Sequence, residues 1–387
     1  MKKFLALILA LVMSLSLVAC GGTKEESKPA EPEKPAETEQ PAEEAGADFS
    51  VAMITDYGDI TDQSFNQTTY EACKAYCDAN GVQFSYYKPA GDSTAERVAM
   101  VEKAVDEGYT VIVMPGYAFG ETITQVADEY SDITFIALDV GEGDLGGYTL
   151  PENVYCAVYQ EELCGYMAGY AAVKLGYTHL GFLGGMAVPA VVRYGFGYVQ
   201  GADAAAAETG ADVTVEYAYG NQFWGDADIT AYMDNWYQTL GVEAVFACGG
   251  GIYASAAEAA AKVGGKVIGV DVDQAGIIDG GYGDGMTVTS AMKGLAPTVE
   301  HMLTEVAAGN FSNYGGKIET LGLVSGDDPE ANYVQIPMES TQWSDSFTQD
   351  DYKALVKDMF DGKITVSNDI SAMPSTSITV NEYGNIK

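Results

Sequence analysis

The stretch Val51–Gln67 combines residue types and spacing that are typical of a small-molecule binding site. An apolar run of strand type ends at Ile54, and a polar loop then leads into a helical pattern that begins at Phe65. Asp62 and Ser64 are both placed to cap the first turn of that helix. Because the loop follows a strand and precedes a helix N-terminus, we expect it to face a crevice where ligands bind.

The same stretch offers a carboxylate, aromatic rings and an amide, contributed by Asp56, Tyr57, Phe65 and Asn66. A carboxylate accepts hydrogen bonds, an amide both donates and accepts them, and a ring stacks on a flat face. Taken alone, a phenylalanine on a helix more often packs in a core. As a set, these side chains predict a site for a small polar ligand with a flat face.

Catalytic chemistry has little support in the sequence. It contains no Ser-His-Asp arrangement, no His-Glu-x-x-His motif and no phosphate-binding P-loop. Its two histidines, His179 and His301, stand outside any Cys/His spacing that binds metal. General acid–base chemistry would depend on carboxylates alone. We therefore predict a protein that is not an enzyme and that has no metal and no cofactor.

One alternative arises at Gly249–Ala254, which reads G-x-G-x-x-A after an apolar strand. The next strand ends at Asp271, as in a dinucleotide-binding fingerprint. The motif lies in the second half of the chain, however, and no convincing catalytic acid–base pair accompanies it. Because glycines also let the backbone approach any ligand closely, an NAD-binding enzyme is the less favoured interpretation.

The N-terminus predicts export and a lipid anchor. Lys2 and Lys3 precede an apolar run over 4–18 that is short for a membrane span, and small residues then precede Cys20. This arrangement resembles the signal of bacterial lipoproteins, in which the cysteine is acylated and becomes the first residue of the mature chain. Two acyl chains suffice for stable anchoring. Residues 21–49 follow as an acidic tether that is rich in proline and glutamate.

The formal net charge of the chain is −37 at pH 7. A surface this acidic repels nucleic acids and anionic lipids, so we exclude nucleic acid as a partner. The charge weakly favours an uncharged or cationic ligand, although solubility alone is the simpler explanation of the acidity.

Apolar strands and amphipathic helices alternate along the remaining residues, about 340 of them, which are too many for one ordinary core. Ser93, Gly81 and Gly210 stand at expected starts and ends of helices. Two βα-repeating halves of similar size predict an α/β protein with two doubly wound parallel sheets and a cleft between them. Near the C-terminus, residues 378–387 predict a pair of strands that turns at residues 383–385.

Segments in both halves carry a family resemblance. They are TDYGDITDQSFNQ at 55–67, LGFLGGMAVPAVVRYGFGYVQGA at 180–202, VIGVDVDQ at 267–274, NVYCAVYQEELCGYMAGYAA at 153–172 and TSAMK at 289–293. Together they resemble the basic membrane protein family, lipoproteins that act as substrate-binding components of ABC importers. The likeness extends from about residue 50 to 366. It implies the type I periplasmic-binding-protein fold, two lobes joined by a three-stranded hinge, and no catalysis.

The N-terminal residues predict a signal peptide at 1–20 and a tether at 21–49. Beyond them, the resemblance implies an N-terminal lobe of 50–158 with 291–323 and a C-terminal lobe of 159–290 with 324–387. The best understood members of the family resemble receptors for purine nucleosides. We therefore expect a nucleoside as ligand, with a purine favoured.

The resemblance and the position of the loops together give the expected ligand-binding residues, which are Asp56, Phe65, Asn66, Tyr117, Phe223, Gly249, Gly250, Asp271 and Lys293. By this resemblance, Phe65 and Phe223 stack on the base from opposite lobes, with Trp224 as the alternative to Phe223. Asp271 and Lys293 match the residues that bind the sugar. Tyr117 lies in the loop where this sequence departs most from the family. Arg193 is expected to tie its helix to a neighbouring carboxylate.

The resulting prediction is a lipid-anchored, monomeric receptor on the extracytoplasmic face of the cell membrane. Its partners would be a membrane permease and a cytoplasmic ATPase. Two other functions fit the same fold, namely a sensor that presents its ligand to a signalling receptor and a receptor for sugars or autoinducers.

Overall fold

A computed structural model describes residues 49–386 as two lobes, each built around a parallel sheet. The predicted signal, the tether and Cys20 lie outside the described residues. Within the described range, the first sheet has the strand order β11-β5-β4-β3-β1-β2. Its strands are β1 (Ser50–Ile54), β2 (Gln83–Tyr87), β3 (Val111–Pro115), β4 (Thr134–Leu138), β5 (Val154–Tyr159) and β11 (Lys317–Leu321).

The second sheet has the order β12-β10-β9-β8-β6-β7-β13. Its strands are β6 (His179–Gly184), β7 (Thr214–Tyr219), β8 (Ala244–Cys248), β9 (Lys266–Asp271), β10 (Thr287–Lys293), β12 (Val334–Gln335) and β13 (Thr379–Asn385). Neighbouring strands run parallel except β12, which pairs antiparallel with β10.

Both faces of each sheet are covered, which explains why central strands such as β3 and β8 are apolar along their whole length. In β1, Val51 and Met53 pack in one hydrophobic cluster while Ala52 and Ile54 pack in another. The first of these clusters continues through Tyr159 into the second lobe. The two lobes therefore share a continuous apolar core near the points where the chain crosses between them.

Helices cover the sheets and begin where the strands end. They are α1 (Phe65–Asn80), α2 (Thr94–Asp106), α3 (Phe119–Val126), α4 (Glu161–Lys174), α5 (Pro189–Thr209), α6 (Ala227–Asn235), α7 (Tyr253–Ala261), α8 (Ala275–Tyr282), α9 (Leu295–Ala307) and α10 (Gln349–Phe360). Ser93 accepts a hydrogen bond from the Glu96 backbone N–H, and Gly81 and Gly210 end their helices in the left-handed conformation. These three predicted caps are confirmed. None of the described helices is long and apolar enough to cross a membrane.

Within the described range, the chain passes between the sheets three times, after Tyr159, after Lys293 and between β11 and β12. The returning helix α9 packs on α1, where the Tyr76 hydroxyl donates to the Leu303 carbonyl at 3.1 Å. This two-lobed α/β architecture confirms the predicted fold class. The second crossing lies three residues beyond the predicted boundary at 290, because Met292 and Lys293 still pair with β12.

The predicted strand pair at the C-terminus is wrong. Residues 379–385 form the single strand β13, which pairs in parallel with β7 along its length. The irregularity at Tyr383 and Gly384 is a shift of register rather than a turn. Glu216 of β7 explains why the tail pairs with β7 rather than with itself, since Glu216 accepts hydrogen bonds from Asn381 and from the Tyr383 hydroxyl.

Candidate ligand-binding cleft

The carboxyl ends of strands from both sheets surround a cavity of about 450 Å³. Because parallel strands end at the same edge of a sheet, side chains that follow β1, β3 and β4 in one lobe face those that follow β8, β9 and β10 in the other. The structure brings every sequence-predicted ligand residue to this cavity. They are Asp56, Phe65, Asn66, Tyr117, Phe223, Gly249, Gly250, Asp271 and Lys293.

Asp56 is fixed at the end of β1 by its own loop. Its Oδ1 atom accepts hydrogen bonds from the backbone N–H groups of Tyr57 at 2.6 Å and Gly58 at 2.7 Å. Burial raises the pKa of this carboxyl, and the two backbone donors oppose the rise. A Cβ atom on Gly116 would lie 2.9 Å from Asp56 Oδ2, and Gly116 has a φ of +124°. The structure therefore requires glycine beside this carboxylate.

Asn66 lies in the first turn of α1, which Asp62 caps. Asp62 accepts hydrogen bonds from the backbone N–H groups of Ser64, Asn66 and Gln67 at 2.9–3.0 Å. Of the two capping candidates in the sequence, Asp62 is thus the one that caps the helix, and the side chain of Ser64 does not. Asn66 donates its side-chain N–H to Asp62, while its Oδ1 atom is buried without a hydrogen-bond partner among the described residues. That oxygen is a free acceptor in the wall of the cleft.

Aromatic rings from both lobes line the cavity. The Phe65 ring lies 5.1 Å from the Lys293 ammonium, and Phe223 lies 6.4 Å from Tyr57 across the cleft, measured between ring centroids. Trp224 also lines the cavity, but its residue surface is 55% exposed whereas Phe223 is partly buried. Phe223 is therefore better placed than Trp224 to present a fixed ring to a ligand.

Lys293, at the end of β10, is the centre of a buried charge cluster. Its Nζ atom lies 2.7 Å from Asp139, 3.2 Å from Glu161 and 3.9 Å from Asp271. Burial alone would lower the pKa of Lys293, yet these three carboxylates together raise it. Arg193 joins the cluster from α5, where its Nε donates to Glu161 at 2.6 Å. The predicted structural role of Arg193 is thus confirmed.

The carboxylates of the cluster differ in their protonation. Burial disfavours the charged form of Glu161, but the charges of Lys293 and Arg193 outweigh it and lower the pKa of that carboxyl. Burial dominates at Asp139 and raises its pKa to about 6, although Lys293 opposes the rise. The charges of Lys293 and Arg193 therefore favour the ionised form of Glu161, whereas burial favours the protonated form of Asp139.

Sequence reasoning missed Asp139 and Glu161. Asp139 directly follows β4, and Asp56 comes two residues after the end of β1, so a carboxylate close to a strand end was a usable signal. Its Oδ1 atom is buried and has no hydrogen-bond partner in the described part of the chain. Glu161 carried no such signal, because two adjacent glutamates begin α4 and only packing distinguishes them.

The glycine-rich segment 249–254 does not have the environment of a dinucleotide-binding turn. A Cβ atom on Gly249 would lie 2.9 Å from the Cα of Gly185 and 3.1 Å from the Phe223 ring. The Gly251 N–H donates to the Phe223 carbonyl at 2.9 Å. The glycines therefore let the segment that carries Phe223 pack closely against the end of β8, and part of the turn's hydrogen-bonding capacity is used by the protein itself.

The described residues include no group of three or more histidine, cysteine, aspartate and glutamate side chains with the geometry of a metal site. The cysteines between residues 49 and 386 are all buried and unpaired: Cys73, Cys77, Cys156, Cys164 and Cys248. Buried thiols of this kind pack as small apolar side chains.

Two lobes on either side of a cavity lined by rings and a charge cluster have the fold of solute-binding proteins. A solved structure of a solute-binding protein of an ABC transporter system from Aeropyrum pernix shares this fold. It matches with a TM-score of 0.63 and 21% identity, and the match covers 83% of this chain and 88% of that one.

Sequence comparison defines the family. Residues 49–357 match the family profile described as ABC transporter substrate-binding protein, PnrA-like. A CD4+ T-cell-stimulating antigen of Listeria innocua is 28% identical over 82% of this chain and 87% of its own. The ABC transporter nucleoside-binding protein BmpA of Lactococcus lactis is 26% identical over 82% of this chain and 89% of its own. The chain belongs to this basic membrane protein family and is an ABC transporter substrate-binding protein.

Proposed function

We propose that this substrate-binding protein takes a nucleoside, with a purine favoured, into the cleft between its lobes. The observation that carries the proposal is one cavity that holds aromatic rings from both lobes together with the Lys293 charge cluster, with the Phe65 ring beside the Lys293 ammonium. This combination suits a flat heterocycle joined to a sugar. The name of the Lactococcus lactis relative supports the same ligand class.

The first-lobe loop and the aromatic rings would bind the base. Phe65 and Phe223 supply rings from opposite lobes, and each stacking contact with a base contributes about 1–3 kcal/mol. The Asp56 carboxylate and the free Oδ1 atom of Asn66 are acceptors for ring N–H and amino groups. Tyr117 lies nearby, with its hydroxyl 3.5 Å from that of Tyr57, and is placed to influence which base fits.

The Lys293 charge cluster would bind the sugar. Asp271 and Asp139 are paired carboxylates that accept hydrogen bonds from neighbouring hydroxyl groups, and Lys293 donates between them. The glycines at 249 and 250 let the backbone approach the ligand. A phosphate group is disfavoured here, because the single positive charge of Lys293 already faces three carboxylates.

We further propose that Cys20 anchors the protein by acyl chains to the extracytoplasmic face of the cell membrane and that residues 21–49 are the tether. There the protein would act as a monomer and pass its ligand to a permease driven by an ATPase. Membership of an ABC transporter family supports these partners.

Calorimetry of the purified chain without residues 1–48 tests the ligand. We expect adenosine, guanosine or inosine to bind more tightly than ribose, NAD or the nucleoside monophosphates. Phe65→Ala and Phe223→Ala should each weaken binding of nucleoside and of free base by about one to two decades. Asp271→Ala should weaken the nucleoside more than the free base, because a charge-assisted hydrogen bond contributes about 1.5–3 kcal/mol.

Tyr86→Ala is the matched control, since this partly exposed ring packs against Tyr70 outside the cleft. It should leave affinity unchanged. Unchanged affinity in all three cleft variants would refute the nucleoside site, and tighter binding of a sugar or of NAD would favour the corresponding alternative.

A further inference from the structure

Two hydrogen bonds join the lobes directly at the edge of the cleft. The Ser64 hydroxyl, at the start of α1, donates to Asp271 Oδ2 at 2.6 Å, and both residues are buried. The Gln274 side chain, just before α8, donates to the Gln63 carbonyl at 3.1 Å. The sequence segments that hold these residues, 55–67 and 267–274, are therefore in contact although they belong to different lobes.

On the first-lobe side of this contact, the Ser64 side chain has no role in capping its helix. Asp62 caps α1, so the Ser64 hydroxyl is not needed for that role and points instead to the other lobe. The Gln63 backbone has a φ of +57°, an uncommon conformation for a residue other than glycine. The loop is thus held in a shape that presents a hydroxyl and a carbonyl to the second lobe.

On the second-lobe side of the contact, hydrogen bonds hold the side chains of Gln274 and Asp271 in place. Gln274 Oε1 accepts from the Val270 N–H at 2.9 Å, and the Gln274 N–H donates to Ser290 at 3.1 Å. Asp271 has a φ of +64°, and the Tyr194 hydroxyl donates to its Oδ1 atom at 3.3 Å. Asp271 is therefore oriented from both lobes, by Tyr194 from its own lobe and by Ser64 from the other.

We propose that Ser64 and Gln274 are positioning residues that form a latch, defined as Gln63, Ser64, Asp271 and Gln274. The latch favours the closed arrangement of the lobes and orients Asp271 within the cleft. Because both of its bonds join protein atoms, it acts whether or not a ligand is bound. Its effect on affinity rests on the proposed nucleoside function, whereas its effect on closure does not.

The first experiment measures binding kinetics of the best-bound nucleoside by stopped flow. Ser64→Ala removes a hydrogen bond to a charged group, so we expect affinity to fall by about tenfold to hundredfold. The loss should appear as faster dissociation, and the association rate should not fall, because the ligand-free variant is open at least as often as the parent protein. Gln274→Ala should act in the same direction.

The matched control is Thr69→Ala. Thr69 is also fully buried on α1, but its hydroxyl donates to the Phe65 carbonyl within the same helix. It should alter stability without altering the dissociation rate. Equal dissociation rates in Ser64→Ala and the parent protein would overturn the role of the latch in binding.

The second experiment measures closure without ligand. Ala95 and Ala227 are exposed, and they lie in the first turns of α2 and α6, on different lobes and at the strand ends that face the cleft. Spin labels at Ala95→Cys and Ala227→Cys report the distance between lobes by pulsed electron resonance. We expect Ser64→Ala to shift the ligand-free distribution to longer distances and Thr69→Ala to leave it unchanged.

An unchanged distance distribution in Ser64→Ala would refute the latch. If the parent protein binds no nucleoside, the proposed function fails, but the distance measurement still decides whether the latch exists.

Discussion

The Lys293 ammonium group shows how single residues decide the chemistry of the cleft. It is almost fully buried, which is costly for a charge unless partners of opposite sign surround it. Asp139 comes from the first lobe and Asp271 from the second, while Glu161 begins the helix after the first crossing. The cluster therefore connects both lobes and the hinge through one side chain, and it leaves acceptor atoms for a ligand.

Replacing Lys293 with methionine should leave buried carboxylates without compensation. We expect the free energy of unfolding, measured by urea denaturation at pH 7, to fall by about 3–5 kcal/mol. Adding Asp139→Asn should recover part of the loss, because it removes one of the buried charges. Lys74→Met, which breaks an exposed ion pair with Asp78, should cost much less, because solvent screens that pair. Equal losses at both lysines would contradict the role of the cluster.

Helices α4 and α5 determine how the cluster is held, because α4 carries Glu161 and α5 carries Arg193 and Tyr194. The two helices approach closely through glycines on both surfaces. A Cβ atom on Gly165 would collide with the Tyr194 carbonyl, and one on Gly201 would collide with the Tyr166 carbonyl. Backbone atoms cannot move aside as a flexible side chain can, so these positions do not tolerate a residue larger than glycine.

Gly201→Ala should therefore destabilise the protein although alanine is the better helix former. We expect a loss of about 1–3 kcal/mol in the free energy of unfolding by urea titration. Gly280→Ala, in α8, is the control because no atom lies within 4 Å of its added Cβ. That change should stabilise the protein by about 0.5–1 kcal/mol. A gain at Gly201 would show that the helices are further apart than described.

Glu162, at the start of α4, should make stability depend on pH. Burial raises its pKa to about 7 from an ordinary value of 4.5; the charge of Glu161 adds to the rise and Arg193 opposes it. Between pH 4.5 and 7 the folded protein keeps a proton that the unfolded chain has lost. The contribution of Glu162 to the free energy of unfolding therefore decreases as pH rises through that window, by at most about 3 kcal/mol.

Glu162→Gln should remove this part of the pH dependence, because glutamine does not ionise. Urea denaturation of parent and variant at a series of pH values measures the difference. Glu258→Gln, an exposed residue on α7, should follow the parent profile. The assignment fails if the stability difference between parent and Glu162→Gln is independent of pH.

The molecule as a whole extends beyond the part that matches the family profile. The profile ends at residue 357, and the chain then passes along α5 before adding β13 to the second sheet. Gln200 and Asp203 bind the passing segment at Ser367 and Ser377. The ring of Tyr383 lies 6.2 Å from that of the buried Trp236.

Deleting residues 367–387 should expose the edge of β7 and weaken the second lobe without disturbing the cleft. We expect the melting temperature to fall by several degrees, about 2–8 °C, with nucleoside affinity unchanged. Tyr383→Phe, which removes only the hydrogen bond to Glu216, should cause a smaller fall. A truncated protein with the parent melting temperature would show that the tail does not stabilise the fold.

Anchoring concerns the part of the chain before residue 49. Because Cys20 is the residue positioned for acylation, Cys20→Ser should leave the protein uncleaved or released from membranes. Cell fractionation and mass spectrometry of the N-terminus measure both results. Cys248→Ser, at a buried thiol in the described fold, is the control and should fractionate like the parent. Processed Cys20→Ser protein that remains in membranes would contradict lipid anchoring.

Much of the site could be located from local sequence pattern. Strand and helix periods define where each strand ends, and parallel strands bring those ends to one edge. Asp56, Asp271 and Lys293 were found in this way together with the family resemblance. Alternation of strands and helices likewise predicts two doubly wound lobes. These features depend on residues that are near each other in the chain, so the sequence pattern alone predicts them.

Other features depend on contacts between distant segments, which local pattern cannot reveal. Ser64 and Asp271 are 207 residues apart. Their contact shows that the Ser64 hydroxyl binds the other lobe, while Asp62 caps the helix. Glu161 joins the charge cluster because α4 and α5 pack closely enough to bring Arg193 to it. The C-terminal tail pairs with β7 rather than with itself, because Glu216 binds it across the sheet. In each case a hydrogen bond or ion pair between segments that are distant in the chain decided between local alternatives of similar stability.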